Sequence, residues 1–288
     1  MPDIWGIGAI LSKLMLYVGV SGATGLLITR AVFADLVSPL ADMMRSRIAL
    51  MAGLALVGSV LSFMLRGAAL TGGIDGMTDP EMLGLLWQTP VGDVLIYRAV
   101  GTTLMIAAVF IPFVGQWIAL AGGMIALWSF CQIGHVPDLE FTGARLLLLL
   151  HLLGGAFWIG ILVPLRALSQ RPEYLSSAAM LGHRFGRLAS VIVPALILAG
   201  LLMAWMLLGD VRALVATGYG QTLLIKLAFV GVVLSLAAAN KLRFVPAMLS
   251  GDTKAAHHLV RSIEIEALIL LVIFAATATL TSVLTLPN

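Results

Sequence analysis

Residues 145–168 read RLLLLLHLLGGAFWIGILVPLRAL. Between Arg145 and Arg166 the only titratable side chain is His151, and Trp158 follows it seven residues on. About 20 helical residues cross a hydrocarbon core of ~30 Å, so this run is long enough to span a bilayer. Porin-type strands would instead alternate polar and apolar residues in segments of about ten, and no such alternation is present. The stretch is therefore a membrane helix. An imidazole inside a membrane helix is a functional hypothesis by default, because burying it without a partner gives up its hydration.

Seven more runs of this kind lie outward from it. The expected spans are Gly8–Ile28, Ile48–Leu65, Val91–Ile111, Val114–Gln132, Leu146–Leu165, Leu188–Leu208, Gln221–Asn240 and Ile263–Leu284. The chain is 60% hydrophobic and 11% charged, with mean hydropathy +1.06, against roughly 25% charge in a soluble domain. The expected fold is an all-α integral membrane protein, a single transmembrane domain over 1–288 built as a bundle of eight helices.

Arg30, Arg45, Arg47, Arg166, Arg171, Arg184, Arg187, Lys241, Arg243, Lys254 and Arg261 fall in one set of connections. Asp75, Asp79, Glu81, Asp138, Glu140 and Asp210 fall in the opposite set, with only Arg66, Arg145 and Arg212 beside them. The positive-inside rule makes the basic set cytoplasmic and places both termini in the periplasm. The isoelectric point of 9.3 is thus a topological signal and carries no implication of nucleic acid. The N-terminus MPDIWGIGAI lacks a basic n-region and small-residue cleavage site, and reads as the start of span 1. A single cysteine, Cys131, leaves no internal disulfide.

The longest connection, 66–90, is expected in the periplasm. It contains a short helix over Pro80–Trp87, capped by Asp79 and begun by Pro80, and serves as a connector or as a lid. Gly19, Gly22 and Gly25 in span 1, and Gly154, Gly155 and Gly160 in span 5, suit close helix packing.

The chemistry-bearing residues cluster toward the outer ends of spans 4 and 5. In GGMIALWSFCQIGHVPD, Met124, Cys131 and His135 stand at i, i+7 and i+11, which at 3.6 residues per turn places all three within a narrow stripe on one helix face. Thioether, thiolate and imidazole suit Cu(I) better than harder ions, so the stripe reads as a copper path. His151 lies roughly 9 Å along the next helix from Arg145. The two imidazoles could share a metal, with Trp158 walling the site or adding a cation–π contact. Each residue also has an ordinary reading as packing or as a hydrogen bond between helices.

Lys13, Arg98 and Lys226 lie within spans, where snorkelling toward the outer interface accounts for them. Lys226 is the deepest, a candidate gate or a partner of Asp93 or Glu140. His183, His257 and His258 are expected in cytoplasmic loops.

Gly134–His135, HLLGGAFWIGILVPL at 151–165, FGRLASVIVPALILAG at 185–200 and LLIKLAFVGVVLSLAAANKLRFVP at 223–246 resemble the copper resistance D family of bacterial inner-membrane proteins. The resemblance covers 131–284. His135, His151, Trp158, Lys226 and Asn240 match its pattern, and Ile161 replaces a glycine. What it implies is an eight-span permease moving copper from periplasm to cytoplasm, often beside a periplasmic copper-binding protein of the CopC type. Ligand exchange would pass copper from His135 and Cys131 to His151, then among Met124, Met203 or Met206, each site weak enough to release it. One alternative is an electron carrier holding b-type haem between paired imidazoles; another is a structural membrane partner that transports nothing. No phosphate-cradling glycine loop or other enzyme signature is seen.

Overall fold

The computed structural model describes residues 3–139 and 143–286. Eight helices long and apolar enough to cross a membrane are found among them. They are α1 (Ile4–Val32), α2 (Ala41–Thr71), α3 (Pro90–Ala108), α4 (Val114–Trp128), α5 (Ala144–Ser169), α6 (Leu175–Leu208), α7 (Gly218–Ala239) and α8 (Thr253–Ser282). Every expected span is present, and most helices outrun their apolar windows. Hydropathy marks where a helix meets lipid, whereas backbone hydrogen bonding continues until a cap or breaker stops it.

His183 consequently lies in α6, and His257 and His258 lie in the first turns of α8, not in loops. The His258 ring stacks on Phe244 at 5.8 Å.

The caps follow from short polar side chains. Asp3 Oδ1 accepts from the Gly6 amide, Thr89 Oγ1 from Val91 and Asp252 Oδ1 from Lys254. Between α2 and α3, Asp79 caps a helix at Pro80–Trp87 by accepting from the Glu81 amide at 2.9 Å, as expected. Trp87 of that helix meets Phe63 edge-on, which fastens it to α2.

Helix α1 is the hub, in contact with α2, α4, α5 and α8. Small residues make this possible. A Cβ on Gly19 would stand 2.6 Å from the Met51 carbonyl of α2, and one on Gly160 would stand 2.0 Å from the Gly25 carbonyl. Gly19, Gly25 and Gly160 are therefore seams of backbone contact. Gly155 faces open space and is not one.

Helices α5 to α8 form the second half of the bundle. Helix α7 runs through a π-helical turn at Asn240–Phe244 and a short helix at Val245–Leu249, which packs on α6 at Gly182. Span 7 thus continues past Asn240, where its apolar run suggests an end. One pole of the bundle gathers the arginines in ion pairs: Arg166–Glu264 and Arg184–Asp35 at 2.7 Å, and Arg45–Asp42 at 2.9 Å. This is the basic pole.

Candidate functional site

At the pole opposite the arginines, the chain after α4 tightens into a 3-10 turn at Ser129–Cys131 and then leaves the helix, with Gly134 at φ +125°. His135 is therefore not on the helical stripe of Met124 and Cys131, because that glycine conformation redirects the chain first. Cys131 is fully buried and Met124 half-buried. The half-buried His135 ring lies 5.7 Å from that of Tyr219 at the start of α7. Among the described residues, its Nδ1 is buried without a hydrogen-bond partner. Burial holds its pKa below the usual imidazole value, the Lys13 ammonium lowers it further, and Asp138 opposes them. The ring is a neutral imidazole at neutral pH, with a nitrogen unengaged.

Lys13 and Arg98 do more than snorkel. Lys13 Nζ donates to the Thr281 carbonyl of α8. Arg98 bonds Ser129 Oγ at 3.3 Å and sits 5.3 Å over the Phe130 ring. Arg98 braces the turn that carries Cys131, and Lys13 ties α1 to α8.

His151 is set seven residues into α5, about 10 Å from its first residue. Its Nδ1 lies 2.9 Å from the Leu196 carbonyl of α6. A carbonyl can only accept, so Nδ1 carries the proton and Nε2 keeps its lone pair. Space for the ring comes from Gly200, where a Cβ would come within 2.9 Å of His151 Cε1. Lys226 of α7 is a charged neighbour of this ring. It forms no ion pair with Asp93, and Glu140 lies outside the described residues.

Among the described residues, no three His, Cys, Asp or Glu side chains converge as a metal centre. His135, Cys131 and His151 thus form no single three-ligand site. His135 has α7 as its neighbour and His151 has α6.

One buried polar junction was not expected from the sequence. Glu266, 1% exposed in the middle of α8, accepts from Trp158 Nε1 of α5 at 3.4 Å on Oε2, and from Asn240 Nδ2 on Oε1. Trp158 and Asn240 are thereby joined through a residue absent from the sequence-based set. These three line a cavity of about 250 Å³ with Ile161, Ser190 and Lys241. Lys241 Nζ bonds Ser190 Oγ across the gap between α7 and α6. Pro194 also lines the cavity and removes a backbone N–H from α6 nearby.

The sequence matches known proteins along both halves. Residues 1–145 match the family model described as Copper resistance protein D-like, N-terminal domain, and residues 179–280 match that of Copper resistance protein D. The chain is 31% identical over 220 residues to Copper resistance protein D of Pseudomonas syringae pv. tomato, with 69% of each chain covered. No solved structure matches it. With its eight apolar helices and these matches, the chain belongs to the copper resistance protein D family of multi-pass membrane proteins.

Proposed function

We propose that this protein is a copper permease of the bacterial inner membrane that carries Cu(I) from the periplasm to the cytoplasm. The observation that carries the reading is the His151 imidazole, fixed inside the bundle by its bond to the Leu196 carbonyl with Nε2 left as a lone-pair donor. Histidines that bind metals commonly donate their other ring N–H to such a carbonyl, which sets tautomer and ring direction. The family's copper connection and the relative named for copper resistance supply the cargo.

Copper is received at the outer mouth by His135, whose Nδ1 is unengaged, with the Cys131 thiol and Met124 thioether as soft neighbours. It passes to His151 and then inward past Trp158. Separate donors of one or two groups suit passage, because a closed three- or four-ligand centre would hold the ion. A periplasmic copper-binding protein of the CopC type would deliver the cargo near the Pro80–Trp87 helix, where Met77 and Met82 lie.

The test is Cu(I) flux into proteoliposomes, beside equilibrium copper titration of the purified protein. The wild type accumulates copper, and His151→Ala and His135→Ala each reduce both binding and flux. Flux and binding unchanged in both variants would overturn the site. A Soret band in the purified protein would favour a haem carrier instead.

A further inference from the structure

The cluster around Glu266 has a use that copper ligation does not supply. A carboxyl group buried between the helices of a membrane bundle is costly unless its charge is compensated, and its partners here are suited to both of its protonation states. Trp158 Nε1 can only donate, and it does so to Oε2. Asn240 donates through Nδ2 to Oε1, which suits an ionised carboxylate because that group can only accept. The Asn240 Oδ1 is at the same time buried and without any partner. The two ends of a primary amide have the same shape, so a half-turn of Asn240 presents Oδ1 to Glu266 in place of Nδ2. That arrangement is satisfied only if Glu266 carries a proton to donate. One amide thus serves the carboxylate in one orientation and the carboxylic acid in the other.

We infer that Glu266 is the proton-carrying group of a copper–proton exchange, with Asn240 as its two-state partner and the adjoining cavity as the proton's path. The inference rests on the permease reading above. In the protonated state the Glu266 O–H donates to Asn240 Oδ1. As Cu(I) advances, this O–H bond breaks, the proton passes to water, and the carboxylate takes the Asn240 N–H. One singly charged cation moves against one proton, so the exchange is electroneutral. The cavity of about 250 Å³ has room for several waters at ~30 Å³ each and offers the polar groups they need.

Charged groups on the surrounding elements leave Glu266 this role. Lys241 is the only other charged residue lining the cavity, and it is bonded to Ser190. On α8 itself, Glu264 pairs with Arg166 of α5. Lys226 of α7 neighbours His151. Lys13 and Tyr17 of α1 bond Thr281, fifteen residues beyond Glu266 on α8. Helix α6 contributes no titratable side chain to the cavity wall.

A purely structural knot of three helices would look similar at rest but would keep one protonation state throughout. Infrared difference spectra of the purified full chain, recorded with and without Cu(I), separate the two. In the wild type, copper addition is expected to remove a protonated-carboxyl stretch, and Glu266→Gln is expected to lack that change. In proteoliposomes holding a pH-sensitive dye, copper entry should make the lumen more alkaline as the exchanged proton leaves it, and Glu266→Gln should reduce that proton signal at least tenfold. Should Glu266→Gln fail to fold, Asn240→Leu is expected to shift the same infrared band and slow the proton signal. Copper flux with neither an infrared change nor a dye response overturns this inference while sparing the permease. Absence of copper flux in the wild type overturns both.

Discussion

The value of a single imidazole in this bundle depends on what its other nitrogen does. His151 gives Nδ1–H to Leu196, and loss of such an outer interaction typically weakens metal binding about 10- to 100-fold. His151→Ala removes the ligand altogether, so copper titration should record at least that loss. Gly200→Ala places a methyl within 2.9 Å of His151 Cε1, which turns the ring without deleting it. Copper affinity should fall about tenfold there, with circular dichroism unchanged. His135 titrates below the usual imidazole range, chiefly because it is buried. Protons compete with copper for its lone pair. Binding measured across a pH series should therefore persist through the ordinary imidazole range and fail only as pH falls through the lowered value; failure at or above that ordinary range would contradict the placement of His135.

Helix packing gives the next level, and here two glycines of α5 make opposite predictions. Gly160 lies against the Gly25 backbone of α1, and a Cβ there would stand 2.0 Å from a carbonyl oxygen. Gly160→Ala must part the two helices, at a cost of roughly 1–3 kcal/mol. Gly155 has nothing within 4 Å of its Cβ position, so Gly155→Ala should be neutral or slightly stabilising by helix propensity. Thermal unfolding in detergent compares them directly, and equal behaviour would contradict the α1–α5 crossing. The glycine seams were legible in sequence because small residues recur at helical spacing, yet which glycine meets backbone depends on a partner helix more than 100 residues away. Glu266 was illegible for the same reason. Its partners Trp158 and Asn240 lie 108 and 26 residues distant, and one carboxylate three residues into an apolar run reads as a span boundary. The eight spans were legible because bilayer thickness imposes their length and composition on every helix separately. His135 was misplaced on a helix because a stripe extrapolates helical geometry, whereas the helix and its 3-10 turn have ended by Cys131 and Gly134 then redirects the chain.

For the whole molecule, the arrangement of charge sets a direction that the permease reading requires. Arg166 of α5, Arg184 of α6 and Arg45 of α2 pair with Glu264, Asp35 and Asp42 respectively at one pole, while His135, Lys13 and the Pro80–Trp87 helix occupy the other. Isolated surface pairs contribute little stability, with a median near 0–1 kcal/mol, so their concentration at one pole is better explained by insertion, which retains basic loops in the cytoplasm. On the permease reading, copper meets His135 first and Glu266 later. Ile74 is 70% exposed in the α2–α3 connection, and Ser250 is exposed in the α7–α8 connection, so a cysteine at either position is reachable from one side only. Native Cys131 is fully buried, which makes the unaltered protein its own unlabelled control. In intact spheroplasts, a membrane-impermeant maleimide should label Ile74→Cys and leave Ser250→Cys untouched until the membrane is opened. The reverse pattern would put His135 at the cytoplasmic face and turn the proposed direction of copper movement into export.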